Sequence, residues 1–196
     1  MSRVFFTSDS HFGHANVIGM CNRPFSSIRE HDDALISNWN EVVQPDDVVF
    51  HLGDFAYRCD AKHVTRCFDA LNGTKHLILG NHDHKGETTR LSWASQNQLL
   101  EVSVDGQTAV LCHYSLRTWR NMRRGFVQLY GHSHGRLPGS GQSIDVGVDV
   151  FGFTPVTLPQ IKSRLSMLPQ LVFKDGTDAV AQLERPDAGD ATGFDA

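Results

Sequence analysis

The stretch VFFTSDSHFGHAN, residues 4–16, passes from a short hydrophobic run into a cluster of residues that commonly bind metals. The run from Val4 to Thr7 is rich in aromatic and β-branched residues, which predicts a buried strand. Asp9 and His11 follow it at once. Side chains two positions apart point to the same side of an extended strand end, so this pair can bind one cation together.

The same arrangement, a predicted strand that ends in a short polar block, recurs four more times. The later blocks are Gly53-Asp54, Gly80-Asn81-His82-Asp83, Cys112-His113 and Gly131-His132-Ser133-His134. Asp54 follows a glycine, which permits a sharp turn that projects the carboxylate into a cleft. Each block alone is a weak signal, but the five in this order are highly specific.

The blocks contain seven residues with the chemistry of metal ligands, and His82 remains as a candidate acid. The seven are Asp9, His11, Asp54, Asn81, His113, His132 and His134. One carboxylate can bridge two cations, and cations about 3.5–4 Å apart can stabilise both oxygens of an in-line displacement at phosphorus. Mixed oxygen and nitrogen ligands suit Mn, Fe, Zn, Ni or Co. We therefore expect two divalent metal ions as cofactors.

The order of the predicted elements indicates an α/β fold. Helices are predicted at 29–43, from Asp60 to a stop at Gly73, and at 159–168; the later strands are predicted at 47–52, 75–79, 99–104, 108–112, 126–130 and 144–148. Alternating strands and helices in the first half favour parallel strands, and the Asp105-Gly106 hairpin favours a mixed or antiparallel second half. In such sheets ligands gather beyond the carboxyl ends of the strands, where the five blocks lie.

The length and composition limit the domain organisation, the location and the partners that can be expected. The 196 residues suit one well-cored domain, which we place at 1–175, followed by an acidic, disordered C-terminal tail at 176–196. A net charge of −4 provides no general field for nucleic acid. Four scattered cysteines without a CxxC pair favour reduced thiols and a cytoplasmic location. No hydrophobic run approaches the about 18 residues of a membrane span, so we expect no membrane partner.

The five blocks resemble those of the calcineurin-like metallophosphoesterase superfamily, which run D-x-H, G-D, G-N-H-[DE], an isolated H and G-H-x-H. The resemblance covers roughly Val4 to Asp149, and residues 9–16 further resemble a small bacterial and phage branch with D-x-H-F-G-H-x-N. It implies a four-layer α/β sandwich of two mixed β-sheets flanked by helices.

The resemblance also implies a role for each block. Asp9, His11 and His134 would hold the first metal, Asp54 would bridge, and Asn81, His113 and His132 would complete the second site. His82 and the adjacent Asp83 would be the catalytic residues. Tyr57 departs from the pattern, because related protein phosphatases carry an acidic residue there that orients the catalytic histidine.

The implied activity is hydrolysis of a phosphate ester by a metal-bridging hydroxide, with His82 protonating the leaving group. A small phosphodiester is the favoured substrate, because the short chain leaves no obvious capping domain and its acidic balance disfavours long nucleic acid. A phosphomonoesterase, acting on proteins or nucleotides, and a nuclease are the alternatives. A non-enzymatic scaffold would be expected to have a damaged ligand set, which this chain does not.

Three residues are predicted to contact the substrate: His14, Arg23 and Arg117. Arg23 could bind a phosphate bidentately. Arg117 belongs to a basic segment around Trp119, which indicates either a binding rim with a stacking face or a solvated helix face. We interpret the remaining histidines His31, His63 and His76 as ordinary surface residues, and His51 as a buried neighbour of the ligands.

Overall fold

Two mixed β-sheets with flanking helices make up the computed structural model, which describes residues 2–84, 86–173 and 180–184. This architecture confirms the predicted α/β class. Among the described residues, no helix combines the length and the hydrophobicity that crossing a bilayer requires.

The first sheet carries the first three polar blocks. Its strands are β1 (Val4–Thr7), β2 (Val48–His51), β3 (Thr74–Ile78), β4 (Ser95–Asn97) and β9 (Val156–Thr157), in the order β4-β3-β2-β1-β9. Strands β1 to β4 are parallel, and β9 pairs antiparallel with β1. The carboxyl ends of β1, β2 and β3 therefore share one edge, which brings their blocks together.

The helices of the first half connect these strands. They are α1 (Asn16–Met20), α2 (Ile28–Val42) and α3 (Ala61–Ala70). Asp60 caps α3 as predicted, because its Oδ1 accepts the backbone N–H of His63 at 2.8 Å. Leu35 and Trp39 of α2 and Val64 and Phe68 of α3 are buried in one hydrophobic cluster with Phe5 of β1.

The second sheet carries the other two blocks. Its strands are β5 (Leu99–Val104), β6 (Gln107–Cys112), β7 (Val127–Tyr130) and β8 (Ser143–Asp145), in that order. Asp105 and Gly106 both have positive φ, 49° and 75°, which suits a type I′ turn between β5 and β6. Strands β6, β7 and β8 are parallel. The ends of β6 and β7, with His113 and Gly131, consequently lie on one edge.

The two sheets pack face to face around a shared core. Phe6 and Leu52 from the first sheet meet Leu111 and Leu129 from the second, and Ile161 of α4 (Leu158–Leu165) joins them. A bridge between Ser8 and Gly147 links the strand ends directly. The two carboxyl edges are thereby held side by side.

The predicted tail differs from the structure in one segment. Residues Val180–Glu184 form β11, which pairs antiparallel with β10 (Gln170–Phe173). Strand pairing satisfies backbone hydrogen bonds whatever the average composition of the region, and this is why a compositional argument missed it. Residues 176–179 and 185–196 of the predicted tail lie outside the described residues. The domain boundary at 175 stays a prediction.

Candidate metal centre

Five of the seven predicted ligand residues adopt the left-handed backbone conformation. Their φ values are 59° for Asp9, 53° for His11, 56° for Asp54, 65° for His132 and 49° for His134. Asp and His tolerate this conformation better than most residues, yet each instance costs about 1–3 kcal/mol and must be held by its surroundings. Such positions cluster at functional sites. The turns after β1, β2 and β7 are therefore built for the side chains that they present.

Two glycines of the blocks permit the close approach of these turns. A Cβ at Gly80 would collide with Asp54 Oδ1 and would lie 2.6 Å from the Asp54 nitrogen. A Cβ at Gly131 would collide with Ser8 Oγ and would lie 2.5 Å from Asp9 Oδ2. Glycine is required at both positions because the neighbouring block occupies the space of a side chain.

The Asp54 carboxylate lies at the middle of the cluster. Its Oδ2 is 3.5 Å from His113 Nε2, 3.7 Å from His11 Nε2 and 3.8 Å from His82 Nε2. Burial alone would raise the pKa of this carboxyl, but the hydrogen bond and the charge of His113 hold it well below its usual range. Asp54 is thus an ionised carboxylate surrounded by imidazole nitrogens.

Two trios of potential ligand residues adjoin at Asp54, and in each trio one ligand atom per residue lies within 4.8 Å of the others. One comprises Asp9, His11 and His134, and the other comprises Asp54, His113 and His132. Asn81 completes the set, because its Oδ1 is 3.2 Å from His113 Nε2. The structure therefore brings together all seven predicted ligand residues, separated by as many as 125 positions in the sequence (134 − 9).

The nitrogen atoms of these histidines are arranged as cation ligands. His11 Nε2 is buried and has no hydrogen-bond partner in the described structure, although it lies 4.0 Å from Asp9 Oδ1. His113 donates its Nδ1–H to the Leu52 carbonyl at 2.7 Å, and His134 donates its Nδ1–H to Asp149 Oδ2 at 2.7 Å. Each donation leaves Nε2 as the nitrogen that can face a cation, the usual orientation of a metal-binding imidazole. The residues present fit divalent cations.

Protons occupy the positions that cations would take. Burial raises the pKa of Asp9 to about 7. Burial lowers the pKa of His113, but its hydrogen bond with Asp54 outweighs this and raises the value to about 9. Metal binding must displace these protons, so affinity for cations should increase with pH.

His82 lies at the rim of the centre and packs against Tyr57. The two ring centroids are 3.9 Å apart at 40°, and the His82 backbone N–H donates to Asp54 Oδ1 at 2.9 Å. An aromatic contact and a backbone bond thus orient His82 where related phosphatases use an acidic residue. A cavity of about 300 Å³ opens beside it and is also lined by Arg58 and Glu87.

The structure corrects the predicted catalytic role of Asp83. Its carboxylate is fully buried and accepts the backbone N–H groups of Asp54 at 2.8 Å, Phe55 at 3.1 Å and Gly80 at 2.8 Å. These bonds join the turns after β2 and β3. Asp83 therefore positions the ligand turns and does not face the reacting groups.

The structure also corrects the predictions for Arg23 and Trp119. The Arg23 side chain is buried, and all its N–H donors are engaged within the protein. Trp119 packs in a small cluster with Val110 and Met122 and donates its indole N–H to the Phe126 carbonyl at 2.8 Å, so it presents no stacking face.

The other two predicted substrate contacts remain predictions. His14 lies in the cleft, with its ring centroid 5.3 Å from that of His11 and 4.9 Å from that of Tyr57. Arg117 is exposed on the segment after His113.

The buried residues that hold the ligand residues and their turns in place were not identified from the sequence. His31, interpreted as a surface residue, is fully buried and bonds to Arg23 and Asp32. Asp145 accepts Ser133 Oγ at 2.5 Å and the backbone N–H of Gly135 at 3.0 Å, and so holds the last ligand turn. The segment Asp145-Val146-Gly147-Val148-Asp149 was the available signal for Asp145 and Asp149. No local pattern distinguishes His31.

Comparisons with known proteins show the family of the chain. The model of the calcineurin-like phosphoesterase superfamily domain matches residues 3–144. An uncharacterized protein from Methanocaldococcus jannaschii is 34% identical over 169 residues, which cover 82% of this chain and 90% of that protein. The Gene 66 protein of a Mycobacterium phage is 32% identical, with 77% and 90% covered. A crystal structure of a protein of unknown function from Aquifex aeolicus shares the fold, with a TM-score of 0.66, 22% identity, and 84% and 100% covered.

Proposed function

Because the chain belongs to the calcineurin-like phosphoesterase superfamily, we propose that it is a dinuclear metal-dependent enzyme that hydrolyses a small phosphodiester. Family membership makes it a metal-dependent hydrolase of phosphate esters. The number of ions, the residues that hold them and the diester class are the proposal.

One observation carries the proposal: the Asp54 carboxylate lies 3.7 Å from His11 of the first trio and 3.5 Å from His113 of the second. Asp9, His11 and His134 would hold one ion, and His113, His132 and Asn81 would hold the other, with Asp54 shared. Bound there, two divalent ions would neutralise charge on the phosphate oxygens and lower the pKa of a coordinated water.

His82 would supply the acid. Its ring is partly exposed and lies over Tyr57, next to a cavity that is large enough for a small leaving group. Donation of a proton or a hydrogen bond to the departing alkoxide is worth about 10²–10⁴-fold in rate. The exposed Arg117 and the half-enclosed His14 would contact the remainder of the substrate.

A diester is favoured over a monoester by charge. A diester carries one negative charge, whereas a monoester carries nearly two, and the chain has a net charge of −4 with Arg23 occupied in the interior. Among the described residues no buried arginine with a free donor lies at the centre, so the ions would balance most of the substrate charge there. The cavity of about 300 Å³ also favours a small molecule over a nucleic acid strand.

The test is an assay of metal-stripped protein reloaded with Mn²⁺, Ni²⁺, Zn²⁺ or Mg²⁺ against bis(p-nitrophenyl) phosphate and p-nitrophenyl phosphate. We expect the diester to be preferred by at least about tenfold in kcat/KM, which is about 1.4 kcal/mol in barrier. Asp54→Asn is the control and should be inactive on both. A tenfold preference for the monoester would establish the alternative class, and activity that survives Asp54→Asn would contradict the shared carboxylate.

A further inference from the structure

We propose that Arg23 and Asp149 form a buried positioning pair that assembles the first metal site, and that neither residue contacts the substrate. This inference rests on the proposed metal centre. It assigns to Arg23 the orientation of ligands where the sequence favoured phosphate binding.

The Arg23 guanidinium has its five N–H groups directed at five acceptor contacts. Nε and Nη2 donate to the two oxygens of Asp149 at 2.8 and 2.7 Å, the forked geometry of a strong arginine–carboxylate pair. Nη2 also donates to the Asp9 carbonyl at 2.7 Å, and Nη1 donates to the Ser10 carbonyl at 3.1 Å and to His31 Nε2 at 2.7 Å. No donor remains for a phosphate.

Asp149 connects Arg23 to the ligand residue His134. Its Oδ2 accepts the Nδ1–H of His134 at 2.7 Å in addition to the bond from Arg23. One guanidinium therefore fixes the backbone that carries Asp9 and, through Asp149, the imidazole of His134. These are two of the three groups in the first trio.

The second trio has no direct bond to this pair. His113 donates its Nδ1–H to the Leu52 carbonyl and has no bond to Arg23 or Asp149. His132 is linked to Asp9 only through its backbone N–H, so disruption of the pair should weaken the first ion and leave the second near its wild-type affinity. This asymmetry separates a positioning role from a general effect on folding.

Two further residues extend the hydrogen-bond network beyond the guanidinium. His31 accepts from Arg23 through Nε2 and donates through Nδ1 to Asp32 Oδ1 at 2.7 Å. Asp32 Oδ2 accepts His63 Nε2 at 2.7 Å and the backbone N–H of Gly13 at 3.1 Å. Every residue of this hydrogen-bond network, from His134 to His63, has a hydrogen-bond partner. A fully satisfied buried network keeps one geometry.

Conservative substitutions of Arg23 and Asp149 should reveal whether the pair positions the ligands. Lysine has a positive charge but no planar fork, so Arg23→Lys cannot satisfy both oxygens of Asp149 and three other acceptors. Asp149→Asn retains the shape of the side chain but loses one acceptor. Loss of a group that orients a ligand typically weakens metal affinity by about 10–100-fold, and we expect that loss for one of the two ions.

The experiment titrates metal-stripped full-length protein with Mn²⁺ by calorimetry and follows the electron paramagnetic resonance spectrum. Wild type should bind two ions and give the spectrum of an exchange-coupled pair. Arg23→Lys and Asp149→Asn should bind the second site normally, bind the first about 10–100-fold more weakly, and show an isolated ion at limiting Mn²⁺. Circular dichroism establishes that each variant is folded.

Arg3→Lys is the matched control. Arg3 also donates to a carboxylate and a carbonyl, Asp47 at 2.8 Å and Val42 at 2.6 Å, but it lies at the opposite end of β1 from the ligands. The Arg3→Lys variant should bind both ions as the wild type does. A loss in Arg3→Lys equal to that in Arg23→Lys would overturn the proposal.

A separate experiment tests whether Asp149 acts by orienting His134. In a His134→Ala background, Asp149→Asn should cause little further loss, because the group that it orients has gone. An undiminished loss would contradict the inference, as would two ions bound with full affinity in both pair variants. Failure of the wild type to bind two ions would instead refute the proposed metal centre.

Discussion

Replacement of Gly131 by alanine should disable the first metal site while the chain stays folded. The new Cβ would collide with Ser8 Oγ and lie 2.5 Å from Asp9 Oδ2. An ordinary carbon–oxygen contact needs about 3.5 Å, so Asp9 or the last ligand turn must move by about 1 Å. The φ of Gly131 is not in the left-handed region, so the effect is steric.

The size of the effect follows from that displacement. Overpacking of a well-packed site costs about 1–3 kcal/mol of stability. A displacement of about 1 Å in a catalytic group can reduce turnover by about 10²-fold. Asp9 also accepts the backbone N–H of His132 at 2.9 and 3.1 Å through its two oxygens, so its movement would disturb the second site as well.

The measurements are urea unfolding of the metal-free protein, Mn²⁺ titration, and diester hydrolysis. Gly19→Ala is the matched control, because a Cβ at Gly19 would meet no atom within 4 Å and Gly19 lies in α1. This control should be neutral or more stable by up to about 1 kcal/mol, and fully active. If Gly131→Ala binds Mn²⁺ and turns over like wild type, the tight approach of the turns after β1 and β7 is wrong.

Four other substitutions have defined outcomes. His82→Ala should lower kcat by about 10²–10⁴-fold without altering Mn²⁺ affinity, and a loss of bound metal would identify His82 as a ligand instead. Asp54→Asn should weaken both ions in a titration, whereas His132→Ala should weaken only one. Burial would raise the pKa of Asp47, but hydrogen bonds from the backbone and from Arg3 lower it. Its stabilisation is therefore complete above the unfolded pKa of about 3.9 and is lost as pH falls through the lower folded value. Asp47→Asn should destabilise at neutral pH by about 1–3 kcal/mol in urea titrations, and this difference should diminish below about pH 4.

The sequence predicted the placement of the metal ligands because the topology leaves them little freedom. Parallel strands must present their carboxyl ends at one edge, so a polar block after each of β1, β2 and β3 converges whatever the detailed packing. The glycine before Asp54, the glycine before Asn81 and the Asp105-Gly106 turn are local signals of backbone geometry. All of these depend on neighbours in the chain.

The role of Arg23 could not be predicted because its partner is distant. Asp149 lies 126 positions away, and a buried arginine has the same local sequence whether it binds a phosphate or a carboxylate. Trp119 illustrates the same limit, since only the fold shows that its ring packs against Val110. The strands β4 and β9 have only three and two residues, too few for a periodic pattern, and their neighbours define them.

The groups behind the ligands explain how a site with so many unfavourable backbone conformations keeps its shape. Residues in the left-handed region persist only where the surroundings fix them. Here Asp83 binds the turns after β2 and β3, Asp145 binds the last ligand turn, and Arg23 binds the carbonyls of Asp9 and Ser10. Each of these residues makes several hydrogen bonds from a buried position, so its loss would leave backbone groups, or the Asp149 carboxylate in the case of Arg23, without their partners. Much of the geometry of the proposed metal centre is therefore specified by residues outside the ligand set, and the proposed ligands alone underestimate what the site requires.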